Sequence, residues 1–205
     1  MQRTVTYFET PGPENTEQCL EIVKSAVEDL NCRHIVVAST TGSTGLAFAE
    51  SLLKEKGVNP VRKKVPSGLS NGVNLVIVTH SYGFKEPNSL ELTEPVREKI
   101  QALGAKVYTG TMITHNLETA LAKKFSGVYP TLLVAQSLRR FGEGSKVCCE
   151  IIMMAADAGL IPEGEEVIAV AGTGRGADTV MIIRSATSKR FLDLRVLEIL
   201  AKARG

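Results

Sequence analysis

The fold is decided by the stretch His34-Ile-Val-Val-Ala-Ser-Thr-Thr-Gly-Ser-Thr-Gly45, which is followed by Leu46-Ala-Phe-Ala-Glu-Ser-Leu-Leu53. The β-branched apolar residues Ile35–Val37 predict a buried strand, because a strand covered on both faces carries a continuous apolar run. The apolar side chains of the second stretch repeat at helical spacing and predict a helix. The segment therefore predicts a strand, a polar loop and a helix, which together are typical of an α/β fold.

The loop between this strand and helix has the composition of an anion site. It contains five hydroxyl side chains and two glycines, namely Ser39, Thr40, Thr41, Ser43, Thr44, Gly42 and Gly45. A helix N-terminus presents unpaired N–H groups and about half a positive charge, so we expect a phosphate there. Simple capping of the helix is the alternative, since Ser and Thr are ordinary N-caps. The loop lacks the Gly-Lys-Ser/Thr ending of a P-loop, which argues against a nucleotide triphosphate with magnesium.

Composition narrows the class of protein. The 205 residues predict one domain over 1–205, and 43% hydrophobic residues suffice for a substantial core. The formal net charge is +2, with acids and bases interleaved, so we expect no nucleic-acid partner. The one basic run, Arg62-Lys63-Lys64, is typical of a solvated patch.

The four cysteines, Cys19, Cys32, Cys148 and Cys149, form no C-x-x-C pair, which argues against a disulfide framework and against a metal site. We recognise no signal peptide and no apolar run long enough to span a bilayer. The expectation is a soluble cytoplasmic protein without a membrane partner. The nearly uncharged helical stretch Val147–Ala158 leaves a homo-oligomer open.

The rest of the chain continues the alternation of strands and helices. Strands are predicted at Leu75–Thr79, Ala105–Thr109, Val167–Ala171 and Thr179–Ile183, with a shorter candidate at Val61–Val65. Pro11-Gly12-Pro13 ends any structure that begins at Thr4–Phe8. Two helices are predicted in the first part of the chain, one from about Glu14 and one from Leu46 until Gly57–Pro60. Three more are predicted at Thr93–Leu103, Leu117–Phe125 and Pro130–Phe141. A helix at Lys146–Ala158 is predicted to have Ser145 as its cap and Gly159 as its end, and a last helix is marked by Leu194, Leu197 and Leu200. This order predicts an α/β sheet with helices on both faces.

A second polar loop carries the pattern Gly172-x-Gly-x-Gly176. A dinucleotide fingerprint must open a helix, but here a β-branched run follows within three residues, so a strand–loop–strand hairpin is favoured. One interpretation is a ligand loop that presents Arg175 and Asp178, and the alternative is a plain glycine turn. The candidate binding residues are Gly172, Thr173, Gly174, Arg175, Gly176, Ala177 and Asp178.

Two histidines, His80 and His115, follow the carboxyl ends of predicted strands, where open α/β sheets bind ligands. A role in the site and a purely structural role both remain open for each, whereas His34 begins a strand at the opposite edge. The adjoining candidates are Tyr82, Gly83, Gly110, Thr111 and Met112. No Ser-His-Asp or Cys-His arrangement can be assembled from the sequence. The isolated carboxylates Glu50, Glu118 and Asp178 are typical of solvated groups.

Three further segments carry a resemblance to a known family. They are Tyr7-Phe-Glu-x-Pro-Gly-x-Glu-Asn-Thr16, Met154-Ala-Ala-Asp-Ala-Gly-Leu-Ile-Pro162 and Gly176-Ala-Asp-Thr179. With Cys19–Leu53 and Lys146–Ile183, they make the chain resemble the C-terminal α/β domain of pyruvate kinase. More closely, the chain resembles the stand-alone proteins of archaea and bacteria called pyruvate kinase C-terminal domain-like.

The resemblance implies a three-layer α/β/α fold whose sheet is mostly parallel with one antiparallel edge strand. In similar pyruvate kinases, loops matching Thr40–Thr44 and Gly172–Asp178 hold a phosphorylated sugar effector. The stand-alone family is associated with flavin mononucleotide (FMN), so the resemblance implies FMN as the cofactor. Its ring would need an apolar shelf, for which the candidates are Tyr82, Phe84, Met112 and Ile113.

The expected function is binding of a phosphate-bearing small molecule, FMN by resemblance, with Gly172–Asp178 closing over it. No catalytic barrel precedes the domain in this chain, so we expect no pyruvate kinase activity. One alternative is an enzyme, either a small flavin-dependent oxidoreductase or a phosphate-ester-processing protein with His80 or His115 as acid and base. Another is an oligomeric regulatory subunit that binds a phosphorylated metabolite.

Overall fold

In the computed structural model, which describes residues 2–54 and 72–205, seven strands form one sheet in the order β1-β7-β6-β5-β2-β3-β4. The strands are β1 (Thr6–Phe8), β2 (His34–Ala38), β3 (Asn74–Val78), β4 (Lys106–Tyr108), β5 (Glu166–Ala171), β6 (Thr179–Arg184) and β7 (Arg195–Ala203). The helices are α1 (Thr16–Leu30), α2 (Ser43–Leu53), α3 (Glu94–Ala102), α4 (Asn116–Phe125), α5 (Pro130–Leu138) and α6 (Glu143–Asp157). Short 3₁₀ turns lie at Pro13–Asn15, Arg139–Phe141 and Ser188–Asp193.

Helices cover both faces of the sheet, which confirms the three-layer α/β/α prediction. Ile35 and Val37 belong to the core that packs under α1, α2 and α3. The intervening Val36 points to the other face and packs with the apolar side chains of α6. This alternation follows from the two-residue period of a strand, and it explains why β2 is apolar at every central position. No helix in the described ranges is long and apolar enough to span a bilayer.

The sheet is mostly parallel, as predicted, and β6 runs antiparallel to both of its neighbours. The predicted hairpin is confirmed, because β5 pairs with β6 from Glu166↔Arg184 to Ala171↔Thr179. Two further strands, β7 and β1, lie beyond β6 on that side of the sheet. The chain therefore passes through β6 and returns, so that β7 is again parallel to β5.

The predicted closing helix is wrong, because Arg195–Ala203 forms β7. The pairing with β6 contains two register shifts, between Val180 and Met181 and between Ile182 and Ile183. Extra residues at such shifts disturb the strict alternation of a strand. The apolar side chains of β7 consequently recur at spacings that resemble a helix, although Ile199 and Leu200 pack on opposite faces of the sheet.

Two predicted helix starts also need correction. Helix α2 begins at Ser43 rather than Leu46, so part of the predicted loop forms its first turn. Helix α6 begins at Glu143, and Ser145 is not its cap but lies inside the first turn, where its Oγ donates to the carbonyl of Phe141 at 3.0 Å. The predictions at Gly57–Pro60 and Val61–Val65, and the basic run 62–64, lie outside the described residues.

Candidate functional site

A cleft of about 950 Å³ opens at the edge of the sheet where β2, β3 and β5 end. This size lies within the range of roughly 300–1,000 Å³ that is typical of small-molecule sites. Two loops that follow the neighbouring strands β2 and β5 contribute to its lining. We call residues 39–45 the hydroxyl loop and residues 172–178 the glycine loop. Their juxtaposition follows from the parallel register of β2 and β5, which places both carboxyl ends at the same edge.

One serine of the hydroxyl loop is bonded to the first turn of α2, and all five hydroxyl residues of the loop line the cleft. Ser39 is buried, and its Oγ accepts a hydrogen bond from the backbone N–H of Gly45 at 2.9 Å. The lining includes Thr40, Thr41, Ser43 and Thr44. Within the described part of the chain, no protein acceptor receives the backbone N–H of Ser43 or Thr44. The loop therefore combines a serine that is engaged in a hydrogen bond with backbone donors that have no acceptor among the described residues.

The two glycines of the hydroxyl loop are not among the residues that line the cleft, and they pack against neighbouring elements instead. Gly42 has a φ of +93°, and a side chain there would overlap Leu92 and Val96. At Gly45, an added Cβ would lie 2.6 Å from Ile77 Cγ2. Both positions thus require glycine because the turn packs directly against its neighbours. This close packing fixes the start of α2 relative to β3 and α3.

The two histidines at strand ends meet across one aromatic ring. The Phe84 ring centroid lies 4.2 Å from that of His80 and 5.2 Å from that of His115. All three residues line the cleft. His80 also bonds on both sides, with its Nδ1 2.8 Å from Glu91 Oε2 and its Nε2 3.4 Å from Thr40 Oγ1. His34, as expected, lies at the other edge, where its Nδ1 is 3.0 Å from the amide nitrogen of Asn74.

A buried ion pair forms part of the cleft floor. Lys146 and Glu150, both only 2% exposed, are joined through Nζ and Oε2 at 2.5 Å. Glu150 Oε1 accepts hydrogen bonds from the N–H and the hydroxyl of Thr114, each at 2.7 Å. Burial alone would raise the pKa of Glu150, but Lys146 and Thr114 outweigh it, so the pKa is lowered. Burial, reinforced by the charge of Lys146, lowers the pKa of His115.

The glycine loop is held by its own polar groups. Asp178 is 1% exposed, and its carboxylate accepts from the N–H of Thr173 at 2.9 Å and from the hydroxyl of Thr179 at 2.8 Å. The N–H of Ala177 donates to Thr16 Oγ1 at 3.0 Å, which fastens the loop to the start of α1. Arg175 is exposed and lines the cleft together with Gly172, Gly174 and Gly176.

Two of the carboxylates predicted to be solvated are not. Asp178 is buried, as described above, and Glu118 accepts from the N–H groups of Thr131 and Leu132 at the start of α5. Only Glu50 matches the expectation, with an exposed ion pair to Lys54. Carboxylates in loops or near helix ends find backbone donors, which residue type alone does not reveal.

The structure brings together about half of the predicted binding residues. The remaining ones lie outside the described lining: Gly42, Gly45, Tyr82, Gly83, Gly110, Thr111, Thr173, Ala177 and Asp178. Tyr82 is 64% exposed and donates to the carbonyl of Asn88 at 2.6 Å. Of the apolar shelf candidates, Phe84 and Met112 line the cleft, whereas Ile113 packs beside the α6 core.

Family comparison accounts for this architecture. A family model described as "Pyruvate kinase, alpha/beta domain" matches residues 17–183. The chain belongs to this family. The matched residues include both loops of the cleft and most strands of the sheet.

Solved structures show similarity of the same kind. A pyruvate kinase from Cryptosporidium parvum shares 16% identity and a TM-score of 0.39 over 86% of this chain and 24% of its own. A second C. parvum pyruvate kinase structure has 16% identity, a TM-score of 0.37 and coverage of 86% and 23%. An O-ureido-L-serine synthase has 15% identity, a TM-score of 0.30 and coverage of 72% and 48%. The chain spans about a quarter of the length of these pyruvate kinases.

Sequence reasoning missed several lining residues of this α/β domain. They include Pro13, Thr16, Lys85, Glu91, Arg139, Glu143, Lys146 and Glu150. One signal was available, because Lys146 and Glu150 stand four residues apart in an otherwise largely apolar helix. Charged residues that share an apolar helix face are paired when buried, and they mark a polar interior or a site. Glu91 had no such signal.

Proposed function

We propose that this α/β domain binds a phosphate-bearing small molecule in the cleft, with FMN as the candidate, and without pyruvate kinase activity of its own. The observation that carries the proposal is the donor-rich start of α2. There the N–H groups of Ser43 and Thr44 have no acceptor among the described residues, and both residues line the cleft together with the exposed Arg175. Backbone donors at a helix start, reinforced by the helix dipole, favour a phosphate.

The remaining lining is compatible with a flavin. Apolar side chains next to the hydroxyl loop offer a surface for a flat ring: Val78, Phe84, Met112, Ile151 and Met154. The hydroxyl loop would hold the phosphate, and the histidines could contact polar ring atoms. When bound, FMN would supply hydride and single-electron transfer chemistry. The chain's residues would bind and orient it and keep water from one face.

The expected affinity follows from the number of donors. Four or five hydrogen bonds to a charged phosphate contribute roughly 1.5–3 kcal/mol each, before the entropic costs of binding are subtracted. The surplus is compatible with a dissociation constant of about 1 μM, which corresponds to about −8 kcal/mol.

Fluorescence titration tests the proposal. Purified protein is added to FMN, to riboflavin and to FMN in the presence of inorganic phosphate. We expect quenching of FMN with a micromolar dissociation constant, at least about 10-fold weaker binding of riboflavin, and competition by phosphate. Equal affinity for FMN and riboflavin would contradict the phosphate site, and absence of binding to both would remove flavin as the ligand. A coupled assay for pyruvate formation should show no turnover.

A double substitution locates the phosphate. Replacing Thr41 and Thr44 by Val removes two hydroxyls at nearly constant shape, and we expect FMN affinity to fall at least about 10-fold. Thr93→Val is the matched control, because Thr93 precedes α3 without a side-chain capping bond and lies outside the described lining. If the double variant binds FMN as tightly as the control, the hydroxyls of Thr41 and Thr44 do not contact the phosphate.

A further inference from the structure

We propose that Thr40, His80 and Glu91 form a nucleophile–base–carboxylate relay, which makes the cleft a hydrolytic site for carboxylic esters. Glu91 Oε2 lies 2.8 Å from His80 Nδ1, and His80 Nε2 lies 3.4 Å from Thr40 Oγ1. All three residues line the cleft. A hydroxyl, an imidazole and a carboxylate bonded in this order define the triad logic, which is recognised by geometry rather than by sequence position.

The bonds assign a role to each imidazole nitrogen. Glu91 is a hydrogen-bond acceptor when ionised, so Nδ1 of a neutral His80 carries the proton and donates it to Glu91. Nε2 then has a free lone pair directed at the Thr40 hydroxyl, as a general base requires. The distance of 3.4 Å is long, but such bonds tighten when substrate is bound.

The fold holds the relay in place from several sides. Phe84 packs against the His80 ring and restricts its orientation. The absence of a side chain at Gly42 lets Leu92 pack against the hydroxyl loop, which brings the adjacent Glu91 to the imidazole. These contacts join segments that are distant in sequence, because His80 follows β3 and Thr40 follows β2.

Thr40 is the hydroxyl of this loop that lies within hydrogen-bond distance of an imidazole nitrogen. Ser39 Oγ caps Gly45, and the hydroxyls of Thr41 and Ser43 lie 3.3 Å from each other. Thr40 also lies between the end of β2 and the start of α2, which is the strand–turn–helix position of a nucleophile elbow. The nearby N–H groups of Ser43 and Thr44, which have no acceptor among the residues that the structure describes, are suitable donors for an oxyanion.

The reaction would proceed in two steps. Thr40 Oγ forms a bond to the ester carbonyl carbon while its proton passes to His80 Nε2, and the carbonyl electron pair moves onto oxygen. The oxyanion then collapses and expels the alcohol oxygen, which takes the proton from His80, leaving an acyl-threonine. Water attacks this acyl group, gives a proton to His80, and Thr40 Oγ departs with that proton. The sum is ester plus water giving carboxylic acid and alcohol.

Two probes test the relay on the intact protein. The first is hydrolysis of p-nitrophenyl acetate, followed through the released nitrophenolate. The second is an alkyl fluorophosphonate, which loses fluoride and forms a bond to an activated hydroxyl. We expect ester turnover by the unmodified protein and a phosphonyl mass increase on the peptide that contains Thr40. A protein without turnover, or a label on another residue only, overturns the proposal. The labelling result does not depend on any variant folding correctly.

Substitutions assign the roles. Thr40→Val and His80→Gln should each lower kcat at least about 100-fold. His34→Gln, a matched change at the opposite edge of the sheet, should retain the rate. Glu91 is a positioning residue, so Glu91→Gln should lower kcat about 10-fold or more with KM unchanged, and Glu91→Asp should restore part of it. Unchanged turnover in Thr40→Val contradicts the relay.

The proposal goes beyond ligand binding, and the two can fail separately. FMN binding without labelling of Thr40 removes the relay and leaves the proposed ligand. Labelling of Thr40 without FMN binding removes the proposed ligand and leaves the relay. If both hold, FMN and inorganic phosphate should inhibit ester hydrolysis competitively, because a phosphate and a tetrahedral oxyanion would use the same N–H groups at the start of α2.

Discussion

The hydroxyl loop and the glycine loop face the same cleft and have similar small polar compositions, but they lead into different elements. The hydroxyl loop continues into α2, and the glycine loop returns into the sheet as β6. A helix start leaves N–H groups without partners, whereas a hairpin turn can satisfy its polar groups locally. Accordingly, the N–H groups of Ser43 and Thr44 find no acceptor among the described residues, while the N–H of Asp178 donates to Ala171.

The two loops therefore differ in how many of their polar groups the protein itself engages. In the glycine loop, the carboxylate of Asp178 and the N–H of Ala177 are both engaged within the protein. Arg175 is one exception, because it is exposed and lines the cleft, and the N–H groups of Gly174 and Gly176 have no acceptor among the described residues. Glycine content alone is therefore a weak indicator of ligand binding, and the element into which the loop leads is a better one. Substitutions in the two loops should accordingly affect different properties.

The largest effect is expected at Asp178. Asp178→Ala leaves the N–H of Thr173 and the hydroxyl of Thr179 without their acceptor in a buried position. We expect the free energy of unfolding to fall by about 3 kcal/mol, measured by urea denaturation. The exposed Asp193 is the matched control, and Asp193→Ala should change the free energy of unfolding by less than about 0.5 kcal/mol. If the two substitutions have equal effects, the carboxylate of Asp178 does not hold the glycine loop.

The next largest effect separates two glycines of the same loop. At Gly172 an added Cβ would lie 2.6 Å from the carbonyl oxygen of Gly176, and the backbone cannot move away cheaply. At Gly174 the space is open, but φ is +79°. We expect thermal or urea unfolding to show a loss of about 2 kcal/mol for Gly172→Ala and about 1 kcal/mol for Gly174→Ala. The opposite order would show that backbone strain outweighs contact in this loop.

Sequence patterns predicted those parts of the site that depend on local chemistry. The strand ends at Ser39 and His80 follow from apolar runs and turn residues, so both were placed at the correct edge. The return of β6 followed from its β-branched residues. Each of these inferences uses neighbours along the chain, and such neighbours determine periodicity and capping.

The remaining parts depend on contacts between distant segments. The last strand, β7, has apolar spacing compatible with a helix, and the pairing partner offered by β6 decides its conformation. Glu91 reaches His80 from a loop eleven residues later, and no periodicity marks its position. The pair Lys146 and Glu150 was visible as two charges in a largely apolar helix, but the burial of both at the cleft is set by tertiary packing.

A smaller effect is expected for the capping serine. Ser39→Ala removes the acceptor of the Gly45 N–H, and we expect a loss of about 1 kcal/mol in the free energy of unfolding. Ser25→Ala, on the exposed face of α1, should change it by less than about 0.5 kcal/mol. This prediction sharpens the division within the hydroxyl loop, since the double Val substitution at Thr41 and Thr44 should lower FMN affinity without a comparable loss of stability.

The smallest effect on stability is expected at Arg175, the one residue of the glycine loop that we assign to the ligand. Because the side chain is exposed, Arg175→Gln should change the free energy of unfolding by less than about 0.5 kcal/mol. FMN affinity should fall about 3- to 10-fold at low ionic strength, and the difference should shrink as salt screens the charge. Arg184→Gln, at the other end of β6, is the matched control and should bind FMN normally. If Arg175→Gln lowers the free energy of unfolding and leaves FMN affinity unchanged, Arg175 has a structural role like that of Asp178. In that case no side chain of the glycine loop would be assigned to the ligand.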